Sequence, residues 1–302
     1  MGAFFVNVCL QGGFRRDTIA RKKAAAGRKA CAGGRKGLPM DKNNKIRLVA
    51  SDLDGTLLQN GNTHVSDEFL GMIPKLMKKD ILFCAASGRS YDNLRLLFEP
   101  VRDDIAYICD NGSVGYYRGQ RFYENALDGE MCARILERTA QLEDCDAFVA
   151  CARGVFTDSG QEDFWQFMRE NSYGMMQMVP DLRKMKEPLY KIALFSRTHT
   201  DELAAYFQEF CQGRILAKKT AAVWVDFINP AATKGDALRA LGQFFRVSAE
   251  ETMAFGDRFN DVEMLEYAGL SYVVENAEEG LAEHANGVTP TVEDVVRKLV
   301  DQ

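Results

Sequence analysis

Arg47-Leu48-Val49-Ala50-Ser51-Asp52-Leu53-Asp54-Gly55-Thr56-Leu57-Leu58 joins an apolar run directly to two aspartates one residue apart, followed by Gly-Thr. Leu48 to Ala50 have the pattern of a short strand buried on both faces, as in parallel sheets covered by helices. In an open parallel sheet, ligands gather beyond the carboxyl ends of the strands, and Asp52 and Asp54 fall there. In an extended chain residues i and i+2 share a side, so the two carboxylates are expected to crowd one small volume. Like charges about 4 Å apart repel by roughly 4 kcal/mol at an effective dielectric near 20. Such a pair needs a cation, a shared proton or a chemical task. The bland alternative is a polar turn closing a strand, since Asp and Gly are common turn residues. Gly55 lets the backbone bend sharply just after the pair.

The same strand-then-polar-turn arrangement recurs outward from this stretch. Ser66-Asp67-Glu68 reads as a helix start, with Phe69, Met72, Ile73, Leu76 and Met77 at helical spacing and Pro74 as an interruption. Ile81–Ala86 is a second buried strand ending in Ser87-Gly88-Arg89-Ser90, with a helical pattern through Phe98. A hydroxyl followed by Gly at such a turn is placed to hold a phosphate with the free N–H groups of the helix start; ordinary Ser-Gly turns look the same. Ile105–Cys109 is a third strand, ending in Asp110-Asn111-Gly112.

From Ser113 the rhythm changes. A hairpin is expected over Val114–Phe122, a helix over Glu130–Gln141, a strand over Ala147–Ala152 and a helix over Glu162–Asn171. A strand over Lys191–Phe195, a helix over Asp201–Cys211 and a second hairpin over Arg214–Ile228 complete the segment. This mixture predicts an α+β domain, residues 113–228, inserted into an α/β core made of residues 45–112 and 229–302. Met175-Met176-Gln177-Met178 reads as core or loop rather than as the lining of an adaptable pocket.

After Asn229-Pro230 the alternation resumes. Lys234 stands at the start of a helix running to Phe245, where the helix dipole disfavours a cation; it is either a solvated lysine or one that faces an anion. Glu251–Phe255 is a fourth core strand, ending in Gly256-Asp257-Arg258-Phe259-Asn260-Asp261 before a helix over Val262–Ala268. A fifth strand is expected over Leu270–Val274 and a closing helix over Val292–Val300.

Composition narrows the classes. The chain has 302 residues, 46% hydrophobic and 27% charged, which suits a globular protein with a sizeable core. No run reaches the roughly 18 apolar residues of a membrane span. Residues 1–44 carry ten Lys/Arg against Asp17 and Asp41, so the net charge of -5 hides a body at -13. A body that acidic is a poor binder of nucleic acid. The basic tail lacks the charge order of a signal peptide, and Val6 stands where myristoylation requires Ser or Thr. The tail is expected to be disordered, with Met40 a candidate for the physiological start, which the native N-terminal mass tests. Eight cysteines without a Cys-x-x-Cys pair, beside three histidines, argue against zinc and for a reducing cytoplasm. Cys84 and Cys109 read as small buried hydrophobes.

Together the strand ends offer Asp52 and Asp54, Ser87, Lys234 and Asp257 with Asp261. No Gly-x-Ser-x-Gly elbow, phosphate-cradling Gly-x-x-x-x-Gly-Lys loop or Gly-x-Gly-x-x-Gly dinucleotide fingerprint competes. These motifs resemble those of the haloacid dehalogenase superfamily of phosphotransferases. Their order and the place of the insert resemble its Cof-like branch of magnesium-dependent sugar-phosphate and small-metabolite phosphatases. Asp52-Leu53-Asp54-Gly55-Thr56 matches the first family motif, Ser87-Gly88-Arg89 the second, Lys234-Gly235 the third, and Gly256-Asp257 through Asn260-Asp261 the fourth. Asp110-Asn111-Gly112 matches the stretch leading into the cap, and Arg258-Phe259 stand where small residues are usual.

The resemblance implies a Rossmann-like three-layer core with a parallel sheet and an inserted α+β cap. It also implies an aspartyl-phosphate on Asp52, with Asp54 as acid and then base. Mg2+ would be held by Asp52, the Asp54 carbonyl and Asp257, with Asp261 supporting the metal shell or Lys234. Ser87, Gly88, Lys234 and Asn260 would bind phosphate, Asn111 would orient the set, and the partner would be a small phosphorylated substrate. A phosphomutase and a non-catalytic phosphometabolite sensor stay open beside the phosphatase, as does the oligomeric state.

Overall fold

In the computed structural model, which describes residues 45–170 and 176–301, the fully buried run Leu48–Ser51 is strand β1. The elements that follow are α1 (Asp67–Lys78), β2 (Leu82–Ala86), α2 (Tyr91–Leu97), β3 (Ala106–Cys109), β4 (Val114–Tyr117) and β5 (Gln120–Glu124). Next come α3 (Gly129–Thr139), β6 (Cys145–Cys151), β7 (Gly154–Thr157), α4 (Glu162–Glu170) and β8 (Met176–Met178). Then follow β9 (Leu189–Ser196), α5 (Thr200–Phe210), β10 (Leu216–Ala221) and β11 (Trp224–Ile228). The chain closes with α6 (Lys234–Phe245), β12 (Thr252–Gly256), α7 (Val262–Tyr267), β13 (Leu270–Val274), β14 (Gly287–Thr289) and α8 (Val292–Asp301). The expectations for residues 1–44, Met40 included, and for Met175 fall outside the described residues.

Eight strands form one sheet in the order β14-β13-β12-β1-β2-β3-β4-β5, parallel from β14 to β3. Strand alternation divides its core. Val49 packs with Phe69, Ile73 and Leu76 of α1, Leu94 of α2 and Val292 and Val296 of α8. Leu48 and Ala50 pack with Leu238 and Leu241 of α6 and Met264 and Leu265 of α7. Helices therefore cover both faces, and the fold is a three-layer α/β core, as the continuous apolar strands require. Cys84 and Cys109 are fully buried within it. Helix α1 is capped by Ser66, whose Oγ accepts from the Phe69 N–H (3.1 Å), and it runs on through Pro74. Asp67 and Glu68 at its start and Lys75 and Lys78 at its end complement its dipole.

The hairpin expected to open the insert behaves differently. β4 pairs antiparallel with β3, and β5 with β4, so both extend the first sheet. The reason is aromatic packing on both faces: Tyr116 stacks on Tyr91 of α2 at 4.2 Å, and Tyr117 meets Phe245 of α6 edge-on at 4.9 Å. The second sheet, in the order β10-β11-β9-β6-β7-β8, lies wholly between Cys145 and Ile228. One face carries α3 and α5 through Met131, Ile135 and Phe207. The other carries α4 through Phe164 and Met168, packed on Phe148, Phe195 and Trp224. Met176–Met178 form an edge strand there, with Met176 packed inward and Met178 exposed. No helix of the described residues is long and apolar enough to cross a membrane.

Candidate active site

Four strand ends, of β1, β2, β3 and β12, and the start of α6 converge beyond the carboxyl edge of the parallel sheet. The Asp52 N–H, just past β1, donates to the Phe255 carbonyl of β12 (3.0 Å), which ties together the strand ends carrying Asp52 and Asp257. Past Asp52 the chain leaves the extended form: the N–H groups of Thr56 and Leu58 both donate to the Leu53 carbonyl, at 3.2 and 2.7 Å. Gly55 sits at φ +101°, and a Cβ there would fall 2.1 Å from Asp257 Oδ2, so glycine alone lets the turn pass so close. Thr56 Oγ1 then donates to Asp257 Oδ1 (2.8 Å) and fixes that carboxylate.

Lys234 arrives from the other side. Thr233 caps α6, its Oγ1 accepting from the Asp236 N–H (3.0 Å). Gly112, at φ +96°, has its missing Cβ 2.2 Å from the Thr233 carbonyl oxygen, so the end of β3 and the start of α6 touch backbone to backbone. Lys234 is thereby turned inward rather than solvated. Its side chain is 0% exposed, and Nζ donates to Asp52 Oδ1 (2.5 Å) and Asp261 Oδ1 (2.7 Å). The other Asp261 oxygen accepts from the N–H groups of Asp257 (3.0 Å) and Arg258 (3.2 Å).

Asp52, Asp257 and Asp261, all buried, each place an oxygen within 4.8 Å of the others. Three carboxylates surround one buried ammonium, and the largely exposed Arg258 guanidinium reaches Asp257 from outside, so the buried site keeps an excess of negative charge. Burial holds the Asp52 carboxyl well above the ordinary aspartate range; Lys234 opposes this, and Asp261 and Asp257 add to it. Burial also raises Asp257, against the hydrogen bond from Thr56. Burial works against the Lys234 charge, but Asp261 and Asp52 outweigh it and hold the ammonium above its usual value. Compact hard oxygen donors with excess negative charge fit a hard divalent cation.

The crowding expected of Asp52 with Asp54 is thus realised by Asp52 with Asp257 and Asp261. The Asp54 carboxylate lies outside that cluster, because the turn after Asp52 ends the alternation that would have put it on the same side. It is held instead by Arg89, whose Nη2 and Nε donate to its two oxygens at 2.6 and 2.9 Å. Ser87 is buried after β2, and its hydroxyl accepts from the Arg89 N–H (3.2 Å), leaving its own proton to give. A Cβ at Gly88 would stand 3.1 Å from the Asn111 amide, and Asn260 Nδ2 donates to Asn111 Oδ1 (3.2 Å). Gly88, Asn111 and Asn260 are therefore neighbours. Arg258 and Phe259 are largely exposed, with Arg258 Nε 3.6 Å from Asp257 Oδ2. Thr56 and Arg89 are contributors to which no role was assigned from the sequence; both lie inside the motifs, but nothing local says what their side chains grip.

Asp110 follows β3 and is buried within electrostatic reach of Lys191 and Asp226 of the second sheet. Burial pushes its carboxyl up to about 7, opposed by Lys191 and reinforced by Asp226, which pair with each other at 2.7 Å. A carboxyl that sits higher in the folded chain binds its proton more tightly there. Its contribution to stability is fullest below 3.8 and is lost as pH rises through about 7. Asp110→Asn should therefore be more favourable to folding near pH 8 than near pH 5, by about 2 kcal/mol in urea unfolding. Equal effects at the two pH values would contradict this.

The family model described as haloacid dehalogenase-like hydrolase matches residues 49–299. The 5-amino-6-(5-phospho-D-ribitylamino)uracil phosphatase YbjI of Escherichia coli is 26% identical over 236 residues, covering 77% of this chain and 86% of that protein. The HMP-PP phosphatase of Citrobacter koseri is 28% identical over 235 residues, covering 76% and 85%. Among solved structures, TM0651 from Thermotoga maritima superposes with a TM-score of 0.74 at 25% identity, over 84% of this chain and 97% of that one. With the acidic cluster at the strand ends and a family match along nearly all of the described core, the chain belongs to the haloacid dehalogenase-like hydrolases.

Proposed function

We propose that this protein is a magnesium-dependent phosphatase of small phosphorylated metabolites, sugar phosphates foremost, working through an aspartyl-phosphate on Asp52. The observation that carries the reading is the buried Asp52 carboxylate, held at one oxygen by Lys234 and beside Asp257 and Asp261. The two phosphatases to which the chain is similar support it, since both are named for small phosphorylated compounds. Asp52 and Asp257, with the Asp54 carbonyl, are the groups that would hold Mg2+, and Asp261, whose oxygens already accept from Lys234 and from the Asp257 and Arg258 N–H groups, would support that set. When bound, the ion would offset the excess negative charge and polarise the phosphoryl oxygens.

The chain's own groups divide the remaining work. Lys234 fixes Asp52 Oδ1, which orients the carboxylate for attack on phosphorus. An ammonium has three donors; Lys234 gives two to Asp52 and Asp261, and the third suits a phosphoryl oxygen. Ser87 gives its hydroxyl proton to another. Asp54, protonated and so released from one arm of the Arg89 fork, gives its proton to the leaving oxygen as the bond from phosphorus to that oxygen breaks. Asp54 then takes a proton from the water whose oxygen displaces Asp52. The insert, from beyond Glu124 to Ile228, acts as the cap that excludes water and selects the leaving group.

Purified protein with Mg2+ should release phosphate from p-nitrophenyl phosphate or from members of a sugar-phosphate panel. EDTA should lower the rate about 10²-fold or more, and added Mg2+ should restore it. No phosphate from any ester with Mg2+ present would overturn the reading; an isomeric phosphosugar in place of free phosphate would identify a mutase.

A further inference from the structure

Arg89 is fixed from several sides. Its Nη1 donates to Asn93 Oδ1 (3.1 Å), its N–H to Ser87 Oγ (3.2 Å), and its carbonyl accepts from the Asp110 N–H (3.1 Å). From that anchored position the guanidinium forks both oxygens of Asp54, at 2.6 and 2.9 Å. Asp54 itself is 50% exposed on a turn, where an aspartate otherwise samples several rotamers. A two-point fork sets the carboxylate plane as well as its position, which a single ammonium does not.

We propose that Arg89 is the positioning residue for proton transfer by Asp54: it holds that carboxylate on the exposed side of the site, apart from the cluster of Asp52, Asp257 and Asp261, where a leaving oxygen would meet it. The inference rests on the phosphatase reading, in which Asp54 is the group that gives and takes the proton. Exposed ion pairs add little to stability, so Arg89 variants are expected to fold. The chemical consequence is selective. A p-nitrophenolate departs as a stable anion and needs little proton donation, whereas a sugar alkoxide needs it fully.

The test compares the purified full chain with Arg89→Gln, Arg89→Lys, Asp54→Asn and the double variant Arg89→Gln/Asp54→Asn. The substrates are p-nitrophenyl phosphate and the sugar phosphate that the unaltered protein turns over fastest in the panel. Arg89→Gln is expected to lower kcat on the sugar phosphate by about 10- to 100-fold, at least tenfold more than on p-nitrophenyl phosphate, with KM little changed. Arg89→Lys should recover part of the loss, and the double variant should be no slower than Asp54→Asn. Equal losses on the two esters, or a loss confined to KM, would overturn the inference in favour of phosphate binding by Arg89. No loss would reduce the pair to a surface contact. If the unaltered protein turns over neither ester, the phosphatase reading itself fails and takes the inference with it.

Discussion

Asp52→Asn is expected to abolish phosphate release, by about 10³-fold or more, while the protein stays folded. The amide that replaces the carboxylate keeps the shape of the side chain and a hydrogen-bonding oxygen for Lys234, but it is no longer a nucleophile. The fold tolerates the change for a specific reason. Asp52 sits in a site where burial and two further carboxylates already disfavour its charge, and Lys234 keeps Asp261 as a partner. Stability should therefore stay within about 1–2 kcal/mol of the parent in urea unfolding. Loss of activity with unfolding would leave the role of Asp52 unproven. Retained turnover in a folded Asp52→Asn protein would remove Asp52 as the attacking group.

Lys234→Met is expected to do the opposite: large damage to stability together with loss of activity. Methionine keeps the length of the chain but deletes the cation between Asp52 and Asp261, at 2.5 and 2.7 Å from Nζ. Asp52 and Asp261 are then left facing each other without the cation that pairs them, while Arg258 reaches only Asp257, from the solvent side. Removing one partner of a buried ionic group costs about 3–5 kcal/mol, compared with less than about 0.5 kcal/mol for a surface lysine. Urea unfolding in EDTA reads this directly, because a bound divalent ion would mask part of the effect. A loss below about 1 kcal/mol would mean that Lys234 is not the electrostatic keystone its burial indicates.

Much of this site is legible in the sequence because its chemistry is attached to short local signals. Apolar runs such as Leu48–Ala50 and Met253–Phe255 announce buried strands, and the residues that follow them fall at the same edge of a parallel sheet. That logic brings Asp52 to Asp257 without any knowledge of their separation in space. It does not reach what depends on close tertiary contact. Whether Lys234 faces solvent or the site depends on its reaching Asp52 and Asp261 and on Gly112 letting the start of α6 lie against the end of β3, a contact between segments more than a hundred residues apart. The grip of Arg89 on Asp54 is hidden for the same reason, and the i, i+2 rule misplaces Asp54 because the strand stops at Ser51. A hairpin pattern shows that β4 and β5 pair with each other; it does not show which sheet they join, which Tyr116 and Tyr117 decide by packing on α2 and α6. The short strands β7, β8 and β14 lack the continuous apolar run that marks β1 and β3, because glycine, glutamine or threonine interrupts them.

The account depends most on a covalent bond between Asp52 and phosphorus. The direct measurement is a rapid acid quench within the first turnover of a sugar phosphate with Mg2+, followed by peptide mass mapping. The expected result is a phosphoryl adduct on the peptide carrying Asp52, absent from Asp52→Asn and lost on further incubation before the quench. A burst of phosphate with Asp52 unmodified and the adduct on another residue would contradict it.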